Sequence, residues 1–151
     1  MQRRRFMQGL LASSVTPILL QAEPQKPKNP NAMDYQHAIN AITGGKPIVK
    51  SNKITIKIPE IAENGAVVPV KVAVDSPMTK NDYVKSIHIL ATKNSNVRCA
   101  DIHFTPYNDK AFFGTRLKLG STQEVEAIAA LNDGSFISAA QQVKVTIGGC
   151  G

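Results

Sequence analysis

Ile54-Thr-Ile-Lys-Ile58, Glu63-Asn64-Gly65 and Val68-Pro-Val-Lys-Val-Ala-Val74 decide the fold. Isoleucines at 54, 56 and 58 alternate with Thr55 and Lys57, and valines recur at 68, 70, 72 and 74. A period of two puts one apolar face on a half-buried strand, where a helix would need apolar residues three and four apart. The Ile54, Ile56 and Ile58 face reads as core and not as a binding stripe. Glu63-Asn64-Gly65 is the turn between the two runs, and Ser76-Pro77 breaks the second. Further strands are expected at Val84–Ala91, Val97–Phe104, Thr115–Leu119, Gln123–Leu131 and Gln142–Ile147. Lys93-Asn94-Ser95-Asn96 and Asn132-Asp133-Gly134 supply turns between them. Gly114 and Gly120 read as turn or strand-end glycines. About seven short strands separated by turn signals predict an all-β fold, an immunoglobulin-like antiparallel β-sandwich.

Upstream, the period lengthens. Tyr35, Ala38, Ile39 and Ile42 form one helical stripe, with Asn31 as the expected cap and Gly44-Gly45 and Pro47 as the stop. Residues 23–33 read as a linker, rich in Pro, Lys and Asn from Glu23 to Pro30. Residues 1–22 have the form of a secretory signal: a basic start at Arg3-Arg4-Arg5, then a mostly apolar stretch from Phe6 to Leu20. Arg3-Arg4-Arg5-Phe6-Met7 fits the twin-arginine pattern, which carries folded cargo to a bacterial periplasm. The stretch is too short and too polar for a membrane span. The organisation is therefore a signal at 1–22, a linker at 23–33, a sandwich at 34–147 and a tail at 148–151.

The chain carries 18 Lys+Arg against 11 Asp+Glu. Without the three signal arginines the excess falls from +7 to +4. No long basic run and few aromatic rings are present, which argues against nucleic acid as a partner.

Two cysteines are present, Cys99 and Cys150. Cys150 is flanked only by Gly148, Gly149 and Gly151, so the tail is thin and conformationally free, a thiol on a flexible stalk. A frayed terminus with an accidental thiol is the plainer alternative. The terminal carboxylate on Gly151 disfavours the thiolate, so activation would come from whatever protein receives the arm. From Ile147 to Cys150 the backbone reaches about 10 Å at ~3.3–3.6 Å per residue. A Cys99–Cys150 disulfide is allowed by count alone. Cys99 has the opposite strand parity from Ile102 and Phe104, which points it outward or toward a partner, as a partly buried inert thiol. His37, His88, His103 and Cys99 lack a recognised metal-ligand spacing and read as solvated or locally bonded side chains, and no cofactor is expected. No nucleophile elbow accompanies any Ser/His/Asp order. Arg116, Lys118 and Lys144 read as a solvated strand face.

Ala62-Glu-Asn-Gly-Ala66 with Val68-Pro69, Pro77-Met78, Phe104-Thr-Pro106, Thr115-Arg116-Leu-Lys-Leu119, Thr122-Gln123, Asp133-Gly134 and Val145-Thr-Ile-Gly-Gly-Cys150 form a further set of markers. Together they resemble the SoxY family, the sulfur-carrying subunit of bacterial thiosulfate oxidation. The family usually ends Gly-Gly-Cys-Gly-Gly, and this chain stops one glycine earlier. The resemblance implies a periplasmic carrier and not a catalyst, with Cys150 as the covalent attachment point and Gly148, Gly149 and Gly151 as its flexible arm. It also implies a heterodimer with a SoxZ-like second sandwich subunit. The further partners it implies are a c-type haem conjugating enzyme, a sulfate-releasing metallohydrolase and a sulfane dehydrogenase, with neither nucleic acid nor a membrane involved. Two other functions fit the bare residues: a periplasmic thiol–disulfide redox protein using Cys150 and Cys99, and a secreted sandwich binding module with an incidental tail.

Overall fold

The computed structural model describes residues 31–149. The expected signal, most of the linker, Cys150 and Gly151 lie outside the described residues.

The chain begins with one helix, α1 (Tyr35–Thr43), followed by β1 (Ile48–Lys50), β2 (Ile54–Lys57), β3 (Ile61–Asn64), β4 (Val68–Val74) and β5 (Val84–Ala91). Then come β6 (Arg98–His103), β7 (Ala111–Leu117), β8 (Gln123–Leu131) and β9 (Phe136–Ile147). They form two sheets, as the sandwich expectation requires. One has the order β1-β9-β8-β5-β6 with β3 added along β9, and the other is β2-β4-β7. Most pairs are antiparallel, but β1 and β3 both run parallel to β9, at its opposite ends. Those two short strands escape a period-two reading because three or four residues hold no alternation to detect.

The main core lies between the sheets. Ile87, Ile89, Val125, Ala127 and Val143 from one sheet meet Ile54, Val68, Val70, Val72 and Leu117 from the other. On the outer face of the larger sheet, Leu90, Ile128 and Phe136 are covered by Ala38 of α1, with Ile39 and Ile42 alongside. β5 is therefore buried on both faces, which explains its nearly unbroken apolar run. Burying a side chain such as Ile89 or Leu90 contributes ~1.5–3 kcal/mol.

Two local expectations shift. The helix cap is Asp34, not Asn31: its Oδ1 accepts from His37 N at 2.9 Å. The helix stop is as expected, with Gly44 left-handed at φ 61°. Met33, assigned to the linker, is tied to the body, donating to Ser95 O and accepting from Val97 N. Gly114 is not a turn residue; it sits inside β7 opposite Lys71. The Asn132-Asp133-Gly134 turn does join β8 to β9, with Gly134 at φ 86°.

Candidate functional site

β3 and the end of β9 lie side by side, pairing Ala62 with Val145 and Asn64 with Ile147. Thr146 Oγ1 donates to Glu63 O at 2.9 Å, and Val145 N donates to Thr122 Oγ1 at 2.9 Å. The last strand is thus held from both sides up to the point where the tail leaves it.

Beyond Ile147, three backbone segments are laced together. Gly65 N donates to Ile147 O at 2.7 Å, Leu119 N donates to Gly65 O at 2.7 Å, and Gly149 N donates to Leu119 O at 3.0 Å. The tail passes through a slot between Gly65-Ala66 and Leu119-Gly120. The fit is close: a Cβ on Gly148 would lie 2.3 Å from Gly120 O, and one on Gly149 would lie 2.7 Å from Ala66 Cα.

A polar knot beneath the slot holds its second wall. Gln123 is fully buried. Its Nε2 donates to Asn94 Oδ1 at 2.9 Å and to Ser121 O at 3.0 Å, and its Oε1 accepts from Lys93 N at 2.9 Å. Asn94 passes the connection on, donating to Lys118 O at 2.7 Å and accepting from Gly120 N at 3.1 Å. Two side chains therefore fix the 118–121 loop, one from the strand that follows it and one from the turn between β5 and β6.

Gly148 and Gly149, expected as the free root of a stalk, make these contacts with the body. Cys150 and Gly151 lie outside the described residues. Gly65, Ala66, Leu119, Asn94 and Gln123 escaped the sequence reading as site residues, although Gly65, Ala66, Leu119 and Gln123 fall inside the stretches that carry the family resemblance. Arg116 on β7 and Lys144 on β9 are exposed, as a solvated strand face requires, and Lys118 is exposed in the loop after β7.

Cys99 is half-buried, as the inert-thiol reading expects, but it packs against the core and does not face outward as its parity suggests. A register shift between Ile89 and Leu90 breaks the alternation on β6, and the residue packs against the main core. Its Sγ donates to Val97 O at 3.5 Å, and burial pushes its pKa up. A thiol held protonated is a poor nucleophile and a poor partner for exchange.

His37 and His88 are locally bonded, and His103 is exposed with its ring edge-on to that of His88, in keeping with the reading of solvated or locally bonded side chains. His88 is buried, with Nε2 2.9 Å from Ser86 Oγ and Nδ1 2.5 Å from Asp101 Oδ1. Burial pushes its pKa down, against the pull of Asp101. Burial also presses the Asp101 pKa upward, but hydrogen bonds from His88 and Arg98 outweigh it and hold that carboxyl below its usual range. The Ser86–His88–Asp101 chain lies in the middle of paired strands, where Ser86 itself is buried. His37 is exposed and bonds Asp34. Among the described residues, no group of three or more His, Cys, Asp or Glu is placed to hold a metal ion. No described helix is long and apolar enough to cross a membrane.

The fold and this site define a class: an immunoglobulin-like sandwich whose last strand leads into a glycine tail seated in a backbone slot, with a cysteine next in sequence. The profile of the family described as "Sulfur oxidation protein SoxY" matches residues 39–150, so the chain belongs to the SoxY family, sulfur carriers in sulfur oxidation. The structure of the sulfur carrier protein SoxY from Chlorobium limicola f thiosulfatophilum is similar at TM-score 0.64 and 35% identity, covering 74% of this chain and 96% of that one. The superoxide reductase (neelaredoxin) from Ignicoccus hospitalis is similar at TM-score 0.57 and 20% identity, covering 62% and 80%. The superoxide reductase from Nanoarchaeum equitans is similar at TM-score 0.53 and 12% identity, covering 64% and 100%. At those identities the reductases share the sandwich alone. No curated protein sequence matches the chain.

Proposed function

We propose that this protein is a periplasmic, non-catalytic carrier that holds thiosulfate-derived sulfur covalently on Cys150 and presents it to partner enzymes. The observation that carries the proposal is the family match itself, which extends through the tail to residue 150. Cys99 offers no rival attachment point, because burial raises its pKa and packs it against the core.

In this reading the thiol of Cys150 joins the outer sulfur of thiosulfate, forming an S–S bond and releasing one proton and two electrons. A c-type haem enzyme takes the electrons. Water then attacks the sulfonate group in a metallohydrolase, sulfate leaves, and a persulfide stays on Cys150. A sulfane dehydrogenase is the enzyme class that would oxidise the persulfide sulfur further. The sandwich contributes binding and presentation, with a SoxZ-like subunit as its companion. Exposed Ile61, Val67, Phe112 and Ile147 are apolar surface available to a protein partner. Export through the twin-arginine pattern at Arg3-Arg4-Arg5 fits a carrier that works outside the cytoplasm.

The test is Cys150→Ser in a system reconstituted from purified partners. Fold and companion binding should persist while thiosulfate-dependent turnover is lost. Substantial turnover by this variant would remove the carrier assignment.

A further inference from the structure

We infer that Gly148 and Gly149 are a docking element as well as a hinge, and that Gly65, Ala66 and Leu119 form the slot that seats them, so that the arm alternates between a seated and a released root. Gly149 N donates to Leu119 O at 3.0 Å, and Gly65 bridges both neighbours, donating to Ile147 O and accepting from Leu119 N. Conformational freedom alone would not require backbone walls this close. A Cβ on Gly149 would meet Ala66 Cα at 2.7 Å, Ala66 N at 2.8 Å and Gly65 C at 2.9 Å, and a Cβ on Gly148 would meet Gly120 O at 2.3 Å. These are backbone atoms, which cannot swing aside as a side chain can. The receiving side is equally strict at Gly65, where a Cβ would fall 2.2 Å from Leu119 O and 2.9 Å from Gly149 N. Gly120 is different: a Cβ there lies 3.5 Å from Gly149 O, an ordinary contact.

The consequence for the thiol rests on the carrier reading of Cys150; the slot itself does not. With the root seated, the chain leaves the body at Gly149, one residue before the cysteine, a reach of about 3.5 Å. Released from Ile147, the reach is about 10 Å. One backbone hydrogen bond with its packing favours the seated root about tenfold, equivalent to ~1.4 kcal/mol. A conjugating enzyme that accepts only the released arm then binds with an apparent affinity weakened by the same factor.

Amide hydrogen exchange and loading kinetics test this together. In the unaltered protein the Gly149 amide should exchange about tenfold more slowly than in a free glycine peptide. Gly65→Ala should bring it to the free rate, and Gly120→Ala should not. With the haem conjugating enzyme and thiosulfate, Gly65→Ala should lower KM for the carrier by up to about tenfold and leave kcat unchanged. A merely structural role for Gly65 would not lower KM. Exchange of Gly149 at the free-peptide rate in the unaltered protein overturns the slot without needing any variant. A folded Gly65→Ala with KM unchanged or raised overturns the seated-arm consequence. Protection at Gly149 with no adduct on Cys150 in any chain upholds the slot and removes the carrier reading instead.

Discussion

Gln123→Met should loosen the slot from a distance. Met keeps the length and the apolar stem of Gln123 but makes none of its three hydrogen bonds to Asn94, Ser121 and Lys93. The Gln123 side chain is fully buried, while Lys93 and Ser121 are exposed residues whose backbone groups water can partly reach. Asn94 Oδ1 still accepts from Gly120 N, which leaves Lys93 N–H and Ser121 O as the groups that lose most. At about 0.5–1.5 kcal/mol net for each of the three hydrogen bonds, the loss is ~2–4 kcal/mol. A domain of roughly 120 residues unfolds with an entropy near 0.25 kcal/mol/K, so the melting temperature should fall by about 8–16 °C. Circular dichroism melting measures that shift. Amide exchange should show the damage concentrated at Gly120 and Gly149, with the centre of β5 spared below the global transition. A melting temperature within about 2 °C of the unaltered protein would refute the idea that this knot holds the loop.

The pair of buried His88 and partly exposed Asp101, on β5 and β6, makes stability fall in acid. Both folded pKa values are depressed, His88 from 6.5 and Asp101 from 3.8, so the unfolded chain binds protons more readily than the folded one. The His88 contribution is complete above its ordinary value and is lost as pH drops below it; that of Asp101 is lost at lower pH, through its folded value. Melting temperature should therefore be level at neutral pH and decline below about pH 6.5, and His88→Gln should flatten the upper part of that decline. A melting temperature unchanged down to about pH 5 would contradict it. Cys99→Ala should leave thiosulfate loading intact and cost about 1 kcal/mol of stability, because the thiol packs against the core with a raised pKa. Loss of loading in a folded Cys99→Ala protein would return the redox alternative to contention.

Local patterns made most of the sandwich legible. The alternating isoleucines and valines gave β2 and β4, and Asn132-Asp133-Gly134 marked the β8–β9 turn. β9 was read only from Gln142 because its first half, Phe136-Ile-Ser-Ala-Ala140, mixes small residues and is buried on both faces at its start. Gly114 looked like punctuation, yet β-pairing with β4 carries it through the strand. Cys99 was read correctly as a partly buried thiol but in the wrong direction, because strand parity holds only until a bulge interrupts it, and the register shift beside Leu90 leaves no trace in the sequence. The slot was beyond reach for a different reason. Gly65, Leu119 and Gly149 are far apart along the chain and meet only when the sheets close. A glycine that makes room for another backbone looks the same, in sequence, as one that serves a turn.

Intact-mass and fragment-mass spectrometry of the protein after incubation with thiosulfate and the haem conjugating enzyme tests the carrier assignment most directly. The expected result is a thiosulfonate group mapped to Cys150, converted to a persulfide by the sulfate-releasing hydrolase, with Cys99 unmodified. An unmodified Cys150 under conditions where the conjugating enzyme turns over, or the adduct found on Cys99 instead, would contradict it.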